Sequence, residues 1–370
     1  MKILLIFLSL LLGGEILLAF NGKAKVSIKE KKVIKDYAKS LDWSHQNNKI
    51  LSAAKGRDGY YDVFVIDPDG MNEKNLTANS AGCPQRHNGN PCWHPSGKFV
   101  IFTAQNEDAK SAALKKPGRP GTGYNCNLYL MTANGGKFWQ LTDHQTREFN
   151  PLAVIHPQFS PDGKKLLWAE RLARARGSAW GEWALKLADF SFKNSRPCLA
   201  NITTYQPGGQ DFFYESHHFS KDGGKILFSG NLLKGQPENG MDIYEMDLTT
   251  RCVKRLTHTF NDWDEHAHYS PDNKKISWMS SAGIDINWVS IVGDSWRKYI
   301  ATDLWIMNRD GSGKQRLTHF NEPGHPEYLN GARIIVSDST WSPDGKQLAV
   351  TVAYIAGKAK GAKIVLVSLE

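Results

Sequence analysis

The chain has 370 residues, with 46 Lys and Arg against 37 Asp and Glu, a formal charge of +9, and 41% of its residues are hydrophobic. That balance excludes global disorder and permits one large core or two ordinary ones. Five cysteines, an odd and small number, exclude a disulfide-held miniprotein, while 12 Trp, 12 Tyr and 16 Phe favour strands over helices.

In chain order, Met1-Lys2 precedes an apolar run from Ile3 to Leu12, then Gly13-Gly14-Glu15 and Ile16 to Phe20. A charged start and a short apolar run read as a secretory signal or N-terminal anchor over residues 1–22. Glu15 leaves no uninterrupted span of about 20 apolar residues, which a transmembrane helix needs. The expectation is an exported protein, periplasmic or extracellular, touching a membrane only through this segment if it is uncleaved. Nucleic acid is not an expected target of an exported chain. Export permits disulfides. Cys83 and Cys92 flank a loop rich in Pro, Gly and Asn and are the expected pair, with Cys126 as a competing partner.

Residues 23–370 read as a single domain of repeats. Lys25 to Val33 reads as a strand, and six related segments follow. They are Trp43-Ser44-His45-Gln46-Asn47, Trp93-His94-Pro95-Ser96-Gly97, Phe159-Ser160-Pro161-Asp162-Gly163, Phe219-Ser220-Lys221-Asp222-Gly223, Tyr269-Ser270-Pro271-Asp272-Asn273 and Trp341-Ser342-Pro343-Asp344-Gly345. Pro presets the first corner of a turn, Asp bonds back to the backbone, and Gly or Asn takes the left-handed position. Each turn leads into a strand, as at Lys98 to Thr103. A further strand recurs at Asp62 to Ile66, Asn127 to Met131, Asp242 to Met246 and Asp303 to Met307. Outer strands then end in Leu-Thr at Leu76-Thr77, Leu141-Thr142, Leu256-Thr257 and Leu317-Thr318.

Four antiparallel strands per repeat, arranged radially, make a β-propeller. The predicted fold is therefore all-β, with six blades beginning near residues 41, 92, 158, 217, 267 and 340. The last repeat reaches Glu370 after its third strand, so the N-terminal strand is expected to complete that blade and close the ring. The Ser-Pro-Asp-Gly-Lys turns and the Asp-Leu-Trp-Ile-Met-Asn…Arg-Leu-Thr blocks resemble the TolB-like repeat, a relative of the WD-repeat propellers. This resemblance implies fold rather than activity, since the scaffold hosts binding proteins, lyases and peptidase gating domains.

The short Ser-Pro-Asp-Gly turns fall on one face of such a ring. The long connections Gln105 to Tyr124, Arg171 to Gly181, Ser280 to Thr302 and His319 to Thr340 fall on the other, where binding usually sits. On that face the channel mouth is expected to present Asp42, Cys92, Gln158, His218, His268 and Thr340. Slightly further out come His156, Glu215, His217, Glu265, His266 and Asp338. Within Trp263-Asp-Glu-His-Ala-His-Tyr269, an extended backbone points both imidazoles of His266 and His268 to one side. With His218 or His156 they can ligate a divalent metal, or simply hydrogen-bond the loops of a wet channel.

The His-x-His before a Pro-Asp turn is similar to the metal-binding pattern of oligogalacturonate lyase propellers. That similarity implies His266 and His268 as ligands, with His218 or His156 completing a site for Mn, Ca or Zn. The ion would neutralise a uronate carboxylate and acidify the neighbouring carbon proton for elimination. Those lyases have seven blades and His-Pro-His, with a Gln just upstream; here Gln158 stands two blades away.

Rim residues expected to meet a ligand are Glu265, Gln158, Asp338, His325, Trp288, Trp296 and Arg174. The loop aromatics Trp180, Trp183, Trp263, Trp288, Trp296 and Tyr328 either stack on sugar rings or pin loops to the body. Lysines between Lys23 and Lys39, and the clusters Lys115, Lys116, Arg119 and Arg171, Arg174, Arg176, form a basic seam and rim that favours anionic partners. No Gly-x-Ser-x-Gly or Walker motif occurs, and repeats reaching the final residue leave no expected hydrolase domain. The leading reading is a non-catalytic binding or scaffold module for a protein or an anionic polysaccharide. The alternatives are a metal-dependent polysaccharide lyase and an accessory subunit of a cell-envelope complex.

Overall fold

The computed structural model describes residues 25–370 except 116, 176, 177, 289, 290 and 292. The apolar segment 1–22 read as a signal lies outside the described residues. Among those described, no helix is long and apolar enough to cross a membrane.

Six four-stranded antiparallel sheets form the ring. The first blade is β2 (Ala38–Trp43), β3 (Ile50–Lys55), β4 (Tyr61–Ile66) and β5 (Lys74–Asn75), and the second is β6 (Asn88–Trp93), β7 (Phe99–Gln105), β8 (Cys126–Thr132) and β9 (Phe138–Gln140). The third is β10 (Ala153–Phe159), β11 (Lys165–Ala175), β12 (Ser178–Lys193) and β13 (Arg196–Tyr205). Then come β14 (Tyr214–Phe219), β15 (Lys225–Gly230), β16 (Asp242–Asp247) and β17 (Val253–Arg255), followed by β18 (Asp264–Tyr269), β19 (Lys275–Ser280), β20 (Asp303–Asn308) and β21 (Gln315–Arg316). The sixth blade contains β22 (Arg333–Trp341), β23 (Gln347–Ala356) and β24 (Ala359–Leu369), with β1 (Ile28–Asp36) as its outer strand. β1 pairs antiparallel with β24 from Ile28↔Leu369 to Asp36↔Lys363, so the ring closes as the repeat count requires.

The repeated residues act where they stand. In the Ser-Pro-Asp-Gly turns, Ser160 Oγ donates to Asp162 at 2.6 Å and accepts from the Lys165 N–H at 2.9 Å, and Ser342 and Asp344 repeat the arrangement. Gly163 and Gly345 take φ of 69° in this turn, which glycine adopts without steric cost. At the other end of the blade, the Leu-Thr threonine closes a clamp. Thr257 Oγ1 donates to the buried Asp242 at 3.1 Å and accepts from the Ile243 N–H at 2.9 Å. Thr77–Asp62, Thr142–Asn127 and Thr318–Asp303 do the same in three other blades.

Two expectations change. The connection Arg171 to Gly181 is largely a continuation of the β11–β12 hairpin beyond the blade, paired as far as Ala175↔Ser178. Cys83 and Cys92 do not pair: all five cysteines are free thiols. Cys83 Sγ faces Asn88 at 3.8 Å within one inter-blade cluster, while Cys92 Sγ faces Gln158 at 3.5 Å within the next.

Candidate functional site

Every innermost strand carries a β-bulge at the same place, marked by register shifts at Lys39/Leu41, Gly89/Cys92, Ile155/Gln158, Ser216/His218, Glu265/His268 and Val336/Ser339. A bulge inserts one extra residue, bends the strand and re-aims its side chains. Three residues before each motif aromatic stand Ser40, Asn90, His156, Ser216, His266 and Asp338, one per blade. Four of them are left-handed, with φ of 49°, 45°, 49° and 54° at Ser40, Asn90, His156 and His266. That conformation is uncommon outside glycine, and it marks positions held by the surrounding fold. These six line a constriction of about 10 Å³, a volume near that of one water molecule.

The bulge also breaks the period of two on which the His-x-His reading rested. His266 turns toward its blade neighbours, with Nδ1 3.5 Å from Asp338 and 3.7 Å from Glu215, and its ring 5.2 Å from that of His156. His268 stacks on His218 at 5.0 Å, between the fourth and fifth blades, and also lines the constriction. Position −1 from the aromatic stitches other blades together too. Asp42 accepts the Trp93 N–H at 2.6 Å, and Thr340 accepts the Trp43 N–H at 3.1 Å.

His156 Nε2 lies 3.4 Å from Glu215, and Glu215 Oε1 is buried without a hydrogen-bond donor. Burial, then repulsion from Glu265 and Asp338, drives the Glu215 carboxyl well above the usual range, and burial brings Glu265 to about 7. Burial pushes Asp338 upward as well, but His266 and His156 outweigh it and hold that carboxyl low. Burial and the neighbouring His266 depress His156 to about 3, and burial takes His218 to about 4 and His268 well below its ordinary value.

Above this floor opens a cavity of about 640 Å³. One wall is aromatic: Trp180, Trp183, Phe213, Trp263 and Trp296, with Trp263 and Trp296 ring centres 4.7 Å apart and Trp180 and Phe213 4.9 Å apart. Trp296 arrives on a 3-10 helix, Gly293–Lys298, within the long loop between β19 and β20. The lining also includes Lys39, Lys55, Arg119, Arg297 and Lys360, and the Arg297 guanidinium lies over the Trp296 ring, 4.3 Å from its centre. Lys39 is reached by solvent through the cavity yet closely surrounded by protein; burial and the neighbouring Arg119 and Arg297 lower it to about 8.

No protein-family model matches the chain, and neither does any curated protein. Among solved structures it is similar to a TolB-assigned protein of Agrobacterium tumefaciens, at 18% identity over 89% of this chain and 98% of that one, with a TM-score of 0.55. TolB of Acinetobacter baumannii is similar at 16% identity over 88% of this chain and 66% of that one, with a TM-score of 0.52. The fold is the TolB-like β-propeller. At these identities the likeness is one of fold.

On this TolB-like ring, Glu265, His266, His156, Asp338 and Trp296 of the residues singled out from sequence line the cavity. Gln158, His218 and His268 lie deeper, against the next blade. The remaining three stand elsewhere. Arg174 is exposed on the β11 extension, Trp288 packs on the main core cluster, and His325 stacks on His319 at 4.2 Å. Sequence reasoning missed Lys39, Arg119 and Arg297 as one set, because three different blades supply them. A signal for Lys39 was present: it stands at the position of Glu215 and Glu265, four before the blade aromatic.

Proposed function

We propose that the protein is an exported, TolB-like binding propeller whose cavity takes the end of an anionic glycan. The observation that carries this reading is the lining of one cavity of about 640 Å³ by both tryptophans and a set of Lys and Arg side chains, with Arg297 over the Trp296 ring at 4.3 Å. Aromatic faces suit the apolar faces of sugar rings, and clustered cations in a low-dielectric cleft focus attraction on carboxylates. Export is supported by the charged start and short apolar run at the N-terminus.

Isothermal titration with oligogalacturonate, monitored in parallel by tryptophan fluorescence, tests the proposal. Saturable binding is expected, weakening as salt screens the cationic side chains. A neutral oligosaccharide of equal length should bind far more weakly, and R297A should reduce affinity for the charged one. Equal affinity for the charged and neutral oligomers, or no binding of either, would overturn the reading.

A polysaccharide lyase acting on the same ligand class is the second reading, favoured by the His and carboxylate floor beneath the cavity. It is tested by the appearance of unsaturated-uronate absorbance after incubation with oligouronates. Of the ligands implied by the lyase resemblance, His156, His266 and His268 line one constriction, and His268 stacks on His218 at 5.0 Å.

A further inference from the structure

The constriction at the cavity floor is bordered by His156, His266 and Asp338, and its volume of about 10 Å³ accommodates one ion-sized species. One ligating atom from each of these residues lies within 4.8 Å of the others, and Glu215, His217 and His266 form an overlapping group by the same measure. An ion about 2.1 Å from each donor asks for donor spacings of about 3–4 Å, so modest rotamer changes complete the site.

A second, independent observation points to a cation. Glu215 is 5% exposed, its Oε1 has no hydrogen-bond donor, and it lies within 4 Å of both His156 and His266. Glu265 and Asp338 crowd the same space, leaving two buried carboxylates and one partly buried one beside His156 and His266. A buried carboxylate oxygen without a hydrogen-bond donor is unfavourable, and coordination to a divalent ion would satisfy it.

We propose that His156, His266 and Asp338, joined by Glu215, form a divalent transition-metal site at the channel mouth, and that His268 and His218 take no part in it. Two imidazole nitrogens and carboxylate oxygens suit Zn²⁺ or Mn²⁺, whereas Ca²⁺ takes about six to eight oxygens. The left-handed bulges at His156 and His266 are what bring ligands from separate blades to one point, with Asp338 supplied from β22.

The test uses the purified full chain, stripped with a chelator and titrated with Zn²⁺ alone by calorimetry and with Mn²⁺ alone by electron paramagnetic resonance. One ion per chain is expected, with a higher thermal midpoint in the metal-bound form. H266A and D338N should each weaken binding at least about tenfold, while H268Q leaves it unchanged. D338N preserves side-chain volume and keeps the test readable if H266A does not fold. Absence of saturable binding at one ion per chain overturns the proposal, as does an H268Q loss equal to that of D338N. The probe is the metal alone, so its failure leaves the glycan reading standing; oligogalacturonate titrated into the metal-free chain tests that reading separately.

Discussion

Asp242 shows how much one buried carboxylate can hold in a propeller blade. It accepts from Thr257 Oγ1, the Thr259 N–H, Gln236 Nε2 and Arg255, the last at 2.7 Å. Substituting Ala strands the Arg255 guanidinium and three further donors, and breaking such a pair costs about 3–5 kcal/mol. Urea unfolding of D242A should show that loss; a change below about 1 kcal/mol would mean water replaces the carboxylate fully. Glu170 offers a pH readout. Burial raises its pKa, but His144, whose Nε2 lies 3.4 Å away, the hydrogen bond from Trp168 Nε1 at 2.8 Å and the charge of Lys186 hold it below 4.5. Its folded pKa is depressed, so its stabilisation is present above pH 4.5 and is lost as pH falls through the folded value. The stability gap between the native chain and E170Q should therefore shrink on acidification, measured by denaturant titration across that range. A gap constant with pH would refute the assignment.

At the scale of the element, the turns joining third to fourth strands in the first, second and fifth blades seat against the blade before. A Cβ on Gly135 would stand 2.5 Å from the Leu76 carbonyl oxygen, and one on Gly70 would stand 2.1 Å from that of Ile34. Leu76 follows the outer strand of the first blade and Ile34 belongs to β1, so the N-terminal strand occupies the place of an outer strand. Gly324 has a comparable φ of 88° with nothing within 4 Å. G135A should destabilise the protein by more than the roughly 1 kcal/mol expected of backbone strain alone, and by more than G324A does. Equal effects in thermal melts of the two variants would remove the argument from close packing. The turn motifs behind this arrangement were legible because each is local: Ser, Asp and Gly within five residues complete their own hydrogen bonds.

For the whole molecule, closure is the decisive contact. β1 pairs with β24, Ser27 and Glu370 exchange backbone hydrogen bonds of 3.0 Å, and Lys35 reaches Glu73 of the adjacent blade at 2.5 Å. A chain lacking residues 1–36 should lose its single cooperative unfolding transition and expose the flank of β24, whereas one lacking residues 1–24 should melt as the parent does. Calorimetry distinguishes the outcomes, and identical transitions in both truncations would show that the ring closes without β1. The cavity belongs to this scale too, because its aromatic lining draws on the third, fourth and fifth blades and their loops. Its cationic lining draws on the first, second, fifth and sixth.

The sequence by itself determined the six blades, the strand that closes them and the crowding of histidine and acid near the channel. Those properties follow from local hydrogen bonding repeated at a regular interval, which a linear reading captures. Only the tertiary structure decided which histidines meet. A one-residue bulge in each inner strand reverses a side chain's direction, and no residue type announces it: His156, His266, Asn90 and Ser40 share the left-handed backbone without sharing chemistry. The shared lining of the cavity by tryptophans and cations, and the separation of Cys83 from Cys92, arise likewise from contacts between blades. The ring brings His266 to His156, Glu215 and Asp338, while packing between adjacent blades sets His268 against His218.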